Sequence, residues 1–337
     1  MQDTIAVDLA KSVFQVAESP RPGRVSREWR LSRPQFERYL AQQAPVRVLF
    51  EACGSAHYWG RKSRSLGHTV RLLPPHQVAR YRGTNKTDRA DAKALLEADR
   101  NEEIHPVPIK SEDQQCLAAL HRLRSGYKQT RTARINAIRG LLREFGLTIP
   151  LGAGRVVPFV HGLEAGAVPA PLRSALMTGA EEIQDLEWHI AGVEKQLEGL
   201  AQQMPMVEHL RTIPGIGLIT ATALVASVGD IRRFPSARHF ASYLGLTPKE
   251  HSSGLRRRLG AISKQGDPYL RMLLIHGARV VLRWARSKER PTPLARWMLE
   301  VHRRRGPNIA TVALANKIAR FVWVVWRENR DFRLERA

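Results

Sequence analysis

Apolar residues recur at steps of three and four along one segment, and this spacing constrains the fold more than any other feature of the sequence. Three heptads with apolar first and fourth positions predict a long helix that packs along another helix. The partner is either the preceding helix or a second copy of the chain, because heptads alone do not separate the two. We interpret the segment as one arm of an antiparallel helical hairpin that also supports self-association. Its apolar positions are Ile183, Leu186, Ile190, Val193, Leu197, Leu200 and Met204.

The N-terminal part of the chain has a different pattern, in which short apolar runs alternate with helical stretches. Helices are predicted from Ser32, with Gln35 at the capping-box position, over 56–66 and over 88–100. Three early strands followed by strands that alternate with helices predict a mixed sheet with helices packed on it. The predicted strands are residues 4–9, 13–17, 25–31, 46–50 and 69–73.

The rest of the chain is predicted to be mainly helical. A basic helical stretch covers 112–145, and a segment rich in glycine and proline follows at 146–171. Pro214, Gly215 and Gly217 form a turn between two helical stretches, either a helix-hairpin-helix that approaches phosphate or an ordinary helix connection. The predicted fold class is therefore α/β followed by α. We place the domains at 1–105, 106–205 and 206–337.

Basic residues are in large excess, which indicates nucleic acid as a partner. The formal net charge is +23, with 54 Lys and Arg against 31 Asp and Glu. Solubility alone needs a net charge of only about 2–8 in a small domain. Residues 205–337 carry +16 of this charge and residues 1–204 carry +7. We therefore expect the main phosphate-binding surface in the C-terminal part.

Other features exclude several classes of protein. Cys53 and Cys116 are 63 residues apart, which excludes a disulfide framework and a CxxC metal site. The most apolar tail segment, 321–326, is six residues long, whereas a membrane-spanning helix needs about 20. The N-terminus shows no signal peptide pattern. We expect a cytoplasmic protein without membrane contact, associated with the nucleoid when it acts.

Four carboxylates occupy positions that suit metal-dependent chemistry. Asp8 ends the first predicted strand, Glu51 follows the fourth, and Asp88 and Asp91 share a face at the start of a helix. If the two strands are neighbours, Asp8 and Glu51 meet at one edge of the sheet. Oxygen ligands suit Mg²⁺, and two such ions would stabilise the attacking and leaving oxygens of a phosphodiester exchange. The alternative is that each carboxylate serves a turn, a helix cap or a local ion pair.

Eight blocks of sequence, taken in order, resemble the transposases of the IS110 insertion-sequence family and, within it, the IS1111 branch. The first three blocks contain the four carboxylates, and a later block contains Ser252, Ser253 and Gly254. The match is specific because the blocks occur in order over nearly the whole chain. The blocks are residues 7–11, 50–54, 85–92, 213–217, 243–248, 252–254, 259–267 and 315–320.

This resemblance implies a RuvC-like (RNase H-like) N-terminal domain, a coiled-coil middle and a C-terminal transposase domain. It implies site-specific insertion and excision of a mobile element, guided by a structured non-coding RNA that pairs with target and donor DNA. Asp8, Glu51, Asp88 and Asp91 would form the Mg²⁺-binding tetrad, with two ions. Ser253 would be the nucleophile that forms a covalent link to DNA, with Ser252 as the second choice.

The resemblance and the charge together suggest partners and alternatives. Strand exchange joins several DNA ends, so we expect a homo-oligomer, either a dimer or a tetramer. The alternatives are a Mg²⁺-dependent nuclease selective for Holliday-junction-type structures and a non-catalytic architectural protein. The residues expected to contact nucleic acid are Pro214, Gly215, Gly217, Arg256, Arg257, Arg258, Lys264, Arg131, Arg134 and Arg139.

Overall fold

The computed structural model describes residues 3–20, 25–82, 87–254, 256–287 and 292–333, with only the backbone of residues 88 and 89. The chain forms two structural units, Met1–Glu112 and Asp113–Ala337. The predicted boundary between 205 and 206 falls inside the second unit. The division into three domains stays a prediction.

The first unit is built on a mixed five-stranded sheet with the order β3-β2-β1-β4-β5. β2 is antiparallel to β1 and β3, whereas β4 is parallel to β1 and β5. The mixed α/β prediction for this part of the chain is therefore confirmed. The strands are β1 (Thr4–Asp8), β2 (Val13–Ser19), β3 (Arg27–Ser32), β4 (Arg47–Glu51) and β5 (Thr69–Leu73).

Helices cover both faces of this sheet. One face packs against α1 and α2 around the edge-to-face aromatic rings of Phe14, Phe36 and Trp59. The other face packs against α4. The backbone N–H of Ser32 donates to the Gln35 side chain (2.8 Å), as the predicted capping box requires. The helices are α1 (Arg33–Gln42), α2 (Ala56–Ser65), α3 (Pro75–Val78) and α4 (Asp88–Asp99).

The second unit contains a hairpin of two long helices, α5 (Glu112–Glu144) and α7 (Ala170–Ala201). The short helix α6 (Val156–His161) lies in the connection that we predicted to be irregular. Three ion pairs join the long helices, and positions rise along α5 as they fall along α7, so the helices are antiparallel. These pairs are Arg124–Glu194 (2.7 Å), Arg131–Glu187 (3.4 Å) and Arg134–Glu182 (2.6 Å).

The predicted heptad positions point into the chain. Ile183, Ile190 and Leu197 are buried, and Ile183 shares a core with Ile138 of α5. Leu197 packs near Leu117, at the other end of the hairpin. The prediction of an antiparallel helical hairpin is confirmed. A coiled coil between copies of the chain stays a prediction.

The remaining helices form one core with the open end of this hairpin. α13 is long and apolar enough to cross a membrane, but 50% of its apolar window is buried and it packs on α10, α11 and α12, as expected of a core helix. The elements are α8 (Pro205–Arg211), α9 (Leu218–Val228), α10 (Ala237–Tyr243), β6 (Pro248–Glu250), β7 (Leu259–Ile262), α11 (Pro268–Arg286), α12 (Pro293–Arg305) and α13 (Pro307–Glu328).

Candidate functional site

Asp8 and Glu51 lie at the carboxyl ends of two neighbouring parallel strands, β1 and β4. Ala6 pairs with Leu49 in this register, and both face the core under α4. Because alternate residues of a strand share a face, Asp8 and Glu51, two positions further on, also project toward the α4 side. The two strands are neighbours, which is the condition for Asp8 and Glu51 to meet at one edge of the sheet.

Helix α4 brings a third carboxylate to this edge. Thr87 precedes α4, and its hydroxyl accepts a hydrogen bond from the backbone N–H of Ala90 (3.2 Å), which fixes the first turn. Asp91, in that turn, is only 7% exposed. Asp88 is the first residue of α4, and its side chain lies outside the described part of the chain.

Arg82 links two of these carboxylates, and the sequence analysis did not identify it. Its Nη2 donates to Glu51 Oε2 (3.1 Å), and its Nε lies 2.6 Å from Asp91 Oδ1. Among the residues that the structure describes, neither Arg82 Nε nor Asp91 Oδ1 has a well-aligned hydrogen-bond partner, although both atoms are buried. The Arg82–Asp91 contact is therefore a close ion pair without a directed hydrogen bond.

The thiol of Cys53 lies close enough to Asp8 and Glu51 to be affected by the charges of both. Cys53 follows β4 by two residues. Partial burial raises the pKa of the Cys53 thiol, and the negative charges of Glu51 and Asp8 raise it further. Both carboxylates therefore lie within electrostatic range of one sulfur atom.

The donor atoms at this edge fit a hard divalent cation. Carboxylate oxygens are the ligands that Mg²⁺ prefers, and Asp91 Oδ1 is buried without a hydrogen-bond donor. Within the residues that the structure describes, no three His, Cys, Asp or Glu side chains lie close enough together to hold a metal ion. Convergence of Asp8, Glu51, Asp88 and Asp91 on one ion stays a prediction.

The two candidate serines lie at the tip of a two-stranded antiparallel hairpin formed by β6 and β7. Ser252 Oγ donates to Glu250 Oε1 (2.7 Å) and accepts from the backbone N–H of Arg258 (3.1 Å). The hydrogen bond from Ser252 lowers the pKa of Glu250, and the charge of Arg257 also lowers it. Ser252 therefore ties the hairpin together, and the ionised Glu250 is a weak base.

Ser253 is held only through its backbone, which pairs with that of Arg256. In the part of the chain that the structure describes, the Ser253 hydroxyl makes no hydrogen bond. This hydroxyl is exposed and can accept a substrate phosphate without breaking a bond inside the protein. The contrast with Ser252 favours Ser253 as the nucleophile, and the assignment stays a prediction.

The predicted basic residues of this region are exposed. Arg256, Arg257 and Arg258 surround the serines, and Arg257 Nε lies 3.3 Å from Glu250 Oε1. Lys264 has a left-handed backbone (φ 55°), and its N–H donates to the carbonyl of Gly245 (3.2 Å). The three arginines at the tip, beside one exposed hydroxyl, suit a phosphate ligand.

The glycine-containing turn between α8 and α9 has a packing role. Gly215 has φ 88°, and a Cβ there would lie 3.0 Å from the carbonyl oxygen of Gly277 in α11. A Cβ on Gly277 would lie 2.0 Å from the oxygen of Gly215, so the backbones meet closely. Pro214 and Gly217 are exposed, and a Cβ on Gly217 would meet nothing within 4 Å. Contact of this turn with nucleic acid stays a prediction.

The three basic residues predicted on α5 have partners inside the chain. Arg131 and Arg134 pair with glutamates of α7. Arg139 donates to the carbonyl oxygens of residues 149, 150 and 152, at distances of 2.8–3.1 Å. These contacts support a structural role in the hairpin. The predicted role of all three in nucleic-acid binding is not tested by them.

Two transposase family models match the chain. Residues 5–146 match the IS110 DEDD transposase model, and residues 207–292 match the model described as transposase, IS116/IS110/IS902 family. The first match includes all four predicted carboxylates, and the second includes both serines.

Full-length relatives are also transposases. A probable family 20 transposase of Pseudomonas aeruginosa is 43% identical over 98% of both chains. The transposase for insertion sequence element IS1111A of Coxiella burnetii is 37% identical, over 98% of this chain and 91% of its own length. The transposase for element IS1328 of Yersinia enterocolitica is 34% identical, over 97% of this chain and 98% of its own length.

Proposed function

Because this chain belongs to the IS116/IS110/IS902 family of transposases, which are DNA strand-transfer enzymes, we propose that it catalyses site-specific insertion and excision of an insertion sequence. The observation that carries this proposal is the edge of the sheet where Asp8, Glu51 and Asp91 project to one side. A pilin gene-inverting protein of Moraxella bovis is 26% identical over 85% of this chain, and its name supports recombination of a defined DNA segment.

The carboxylates act, in this proposal, as a metal-binding tetrad in a RuvC-like domain. Asp8, Glu51, Asp88 and Asp91 hold Mg²⁺, with two ions at the full site. The bound cations supply charge stabilisation for the attacking and leaving oxygens of the phosphodiester. Asp8 and Glu51 on neighbouring parallel strands, with α4 on the same side, support this assignment.

Ser253 is the proposed nucleophile. Its Oγ forms a bond to phosphorus, the bond from phosphorus to one deoxyribose oxygen breaks, and the serine proton leaves as that oxygen gains one. The exposed Ser253 hydroxyl and the surrounding arginines support this step, because the cations neutralise charge that develops on the phosphate. Ser252 is the alternative, and Glu250 is its neighbouring carboxylate.

The partners follow from the family and the charge. We propose that a structured guide RNA selects target and donor DNA, and that the protein acts in the cytoplasm as a dimer or tetramer. The net charge of +16 on residues 205–337 supports a phosphate-binding surface there. The turn at Pro214, Gly215 and Gly217 is proposed to be a helix-hairpin-helix that contacts nucleic acid.

A search for a covalent protein–DNA adduct tests the proposal. Wild-type protein is incubated with Mg²⁺, the RNA that co-purifies with it and DNA carrying the element ends, then denatured and analysed for DNA-linked protein. We expect Ser253→Ala to lose the adduct and Ser252→Ala to keep it. An adduct in Ser253→Ala would show that the nucleophile is another residue. Metal-dependent cleavage without any adduct would favour the junction-selective nuclease.

A further inference from the structure

We propose that Arg82 is a built-in counter-ion of the carboxylate site, and that a divalent cation must displace it from Asp91 and Glu51 in order to bind. Arg82 would thereby set the affinity of the site for metal. This inference rests on the proposed function only in assuming that these carboxylates bind a metal ion.

The guanidinium of Arg82 lies against two carboxylates of the predicted metal site. It contacts one oxygen of Glu51 and one oxygen of Asp91, which belong to two of the predicted metal ligands. The side chains of Arg82, Glu51 and Asp91 are 22%, 16% and 10% exposed, so water screens these charges only weakly. A cation that binds the same oxygens meets the charge of Arg82 at short range. The two cations therefore compete.

The contact between Arg82 and Asp91 differs from a structural ion pair. Asp99, at the other end of α4, accepts hydrogen bonds from Arg47 (3.1 Å) and Arg71 (2.5 Å), as in a structural ion pair. Asp91 Oδ1 and Arg82 Nε lie 2.6 Å apart and are both buried, but within the described ranges of the chain neither atom forms a directed hydrogen bond. Asp91 therefore keeps an oxygen whose hydrogen-bonding capacity is unused. Such an oxygen is a better metal ligand than one that already accepts hydrogen bonds.

The position of Arg82 in the chain allows its side chain to move away from the two carboxylates. Arg82 follows a single 3₁₀ turn, Ala79–Tyr81, and its backbone N–H donates to the carbonyl of Ala79 (3.4 Å). Displacement requires rotation of the side chain and no change in the sheet or in α4. Without Arg82, the buried carboxylates of Glu51 and Asp91 would repel each other. Arg82 therefore reduces this repulsion before a cation binds.

Metal affinity measured directly tests this proposal. Mn²⁺ is titrated calorimetrically into the full-length wild type, Arg82→Gln and Arg47→Gln. We expect Arg82→Gln to bind Mn²⁺ on the order of tenfold more tightly, the size of effect that one neighbouring charge has on a carboxylate equilibrium. Arg47→Gln removes an arginine–carboxylate pair at the opposite end of β4 and is expected to leave the affinity unchanged.

Thermal unfolding gives a second measurement. With a chelator present, Arg82→Gln should melt below the wild type, and its melting temperature should rise more on addition of Mn²⁺, because tighter binding stabilises the folded state more. If Arg82→Gln does not fold, Arg82→Lys replaces it, with a smaller gain in affinity expected because lysine lacks the planar fork.

The outcomes separate the two proposals. Equal or weaker Mn²⁺ binding by the Arg82 variant, with binding in the wild type that Asp91→Asn removes, would overturn the role of Arg82 alone. The proposed metal-dependent function would then stand. Absence of Mn²⁺ binding in the wild type and in both variants would overturn the metal site itself, and the role of Arg82 with it.

Discussion

The carboxylates of the first unit and the serines of the second are carried by different kinds of scaffold. Glu51 ends an interior strand of a five-stranded sheet that is covered by helices on both faces. Ser253 lies at the tip of a two-stranded hairpin whose residues are almost all exposed. The sheet therefore holds its carboxylates on a scaffold that is covered on both faces, whereas the β6–β7 hairpin presents Ser253 on an exposed one.

The two regions also differ in how they balance charge. The buried acidic groups hold a guanidinium between them, because water does not reach them well enough to solvate the charge. At the hairpin, Glu250 and the arginines are exposed, and their ion pair is screened by solvent. Substitutions of charged residues should therefore alter chemistry at the first region and phosphate positioning at the second.

The largest effect on activity is expected from Glu51→Gln, which removes one negative charge at the edge of the five-stranded sheet. Strand exchange should fall by at least about 10²–10³-fold, the usual cost of removing one electrostatic group that acts in the transition state. DNA affinity should change little, whereas the melting temperature should fall, because Arg82 loses one of its two carboxylate partners. Glu37→Gln, which breaks the surface pair with Lys62 (2.6 Å), is the matched control and should retain activity. Equal activity in the two variants would contradict a catalytic role for the carboxylates.

The contrast between the regions also explains how much the sequence could predict. Strand alternation, the capping box at Ser32 and the heptads are local patterns, and each predicted its element to within a few residues. Adjacency of β1 and β4 was only a condition at the level of the sequence, and the sheet order meets it. The three local patterns depend on short-range periodicity, which can be read directly from the sequence.

The features that the sequence did not predict depend on contacts between distant positions. Arg82 pairs with a carboxylate 31 residues away, and no spacing rule connects them. Arg131 and Arg134 pair with glutamates of another helix, which no spacing rule within their own segment indicates, and their predicted contact with nucleic acid stays a prediction. Heptads could not separate an intrachain seam from an intermolecular one.

A medium effect, on the free energy of unfolding, is expected from a substitution in the helical hairpin of α5 and α7. Leu197→Ala should lower the free energy of unfolding by about 2–5 kcal/mol, because the side chain is fully buried inside the chain. Trp188→Ala, at a residue that is 74% exposed on the same helix, should change it by less than about 0.5 kcal/mol. Light scattering on both variants then shows which face supports self-association. A lower oligomeric state in Trp188→Ala, with an unchanged free energy of unfolding, would assign the exposed face of the helix to assembly.

The smallest effect is expected from pH, through one partly buried histidine in each unit. Burial, followed by the charges of Lys110 and Arg61, lowers the pKa of His57 to about 4. Burial and the charge of Arg124 lower the pKa of His121 to about 4. His121 also hydrogen-bonds the hydroxyls of Thr222 (3.0 Å) and Tyr269 (3.1 Å), which joins α5 to α9 and α11.

Both histidines should make the folded state less stable in mild acid. The unfolded chain binds a proton near pH 6.5 and the folded chain only near pH 4, so stability is complete above about 6.5 and falls as the pH drops toward 4. Each histidine should contribute a loss on the order of 1 kcal/mol between about pH 7 and about pH 5.5. Denaturant unfolding of His121→Gln should show a smaller loss than the wild type, whereas the exposed control His161→Gln should match the wild type. An unchanged pH dependence in His121→Gln would mean that His121 binds a proton about as readily in the folded chain as in the unfolded chain.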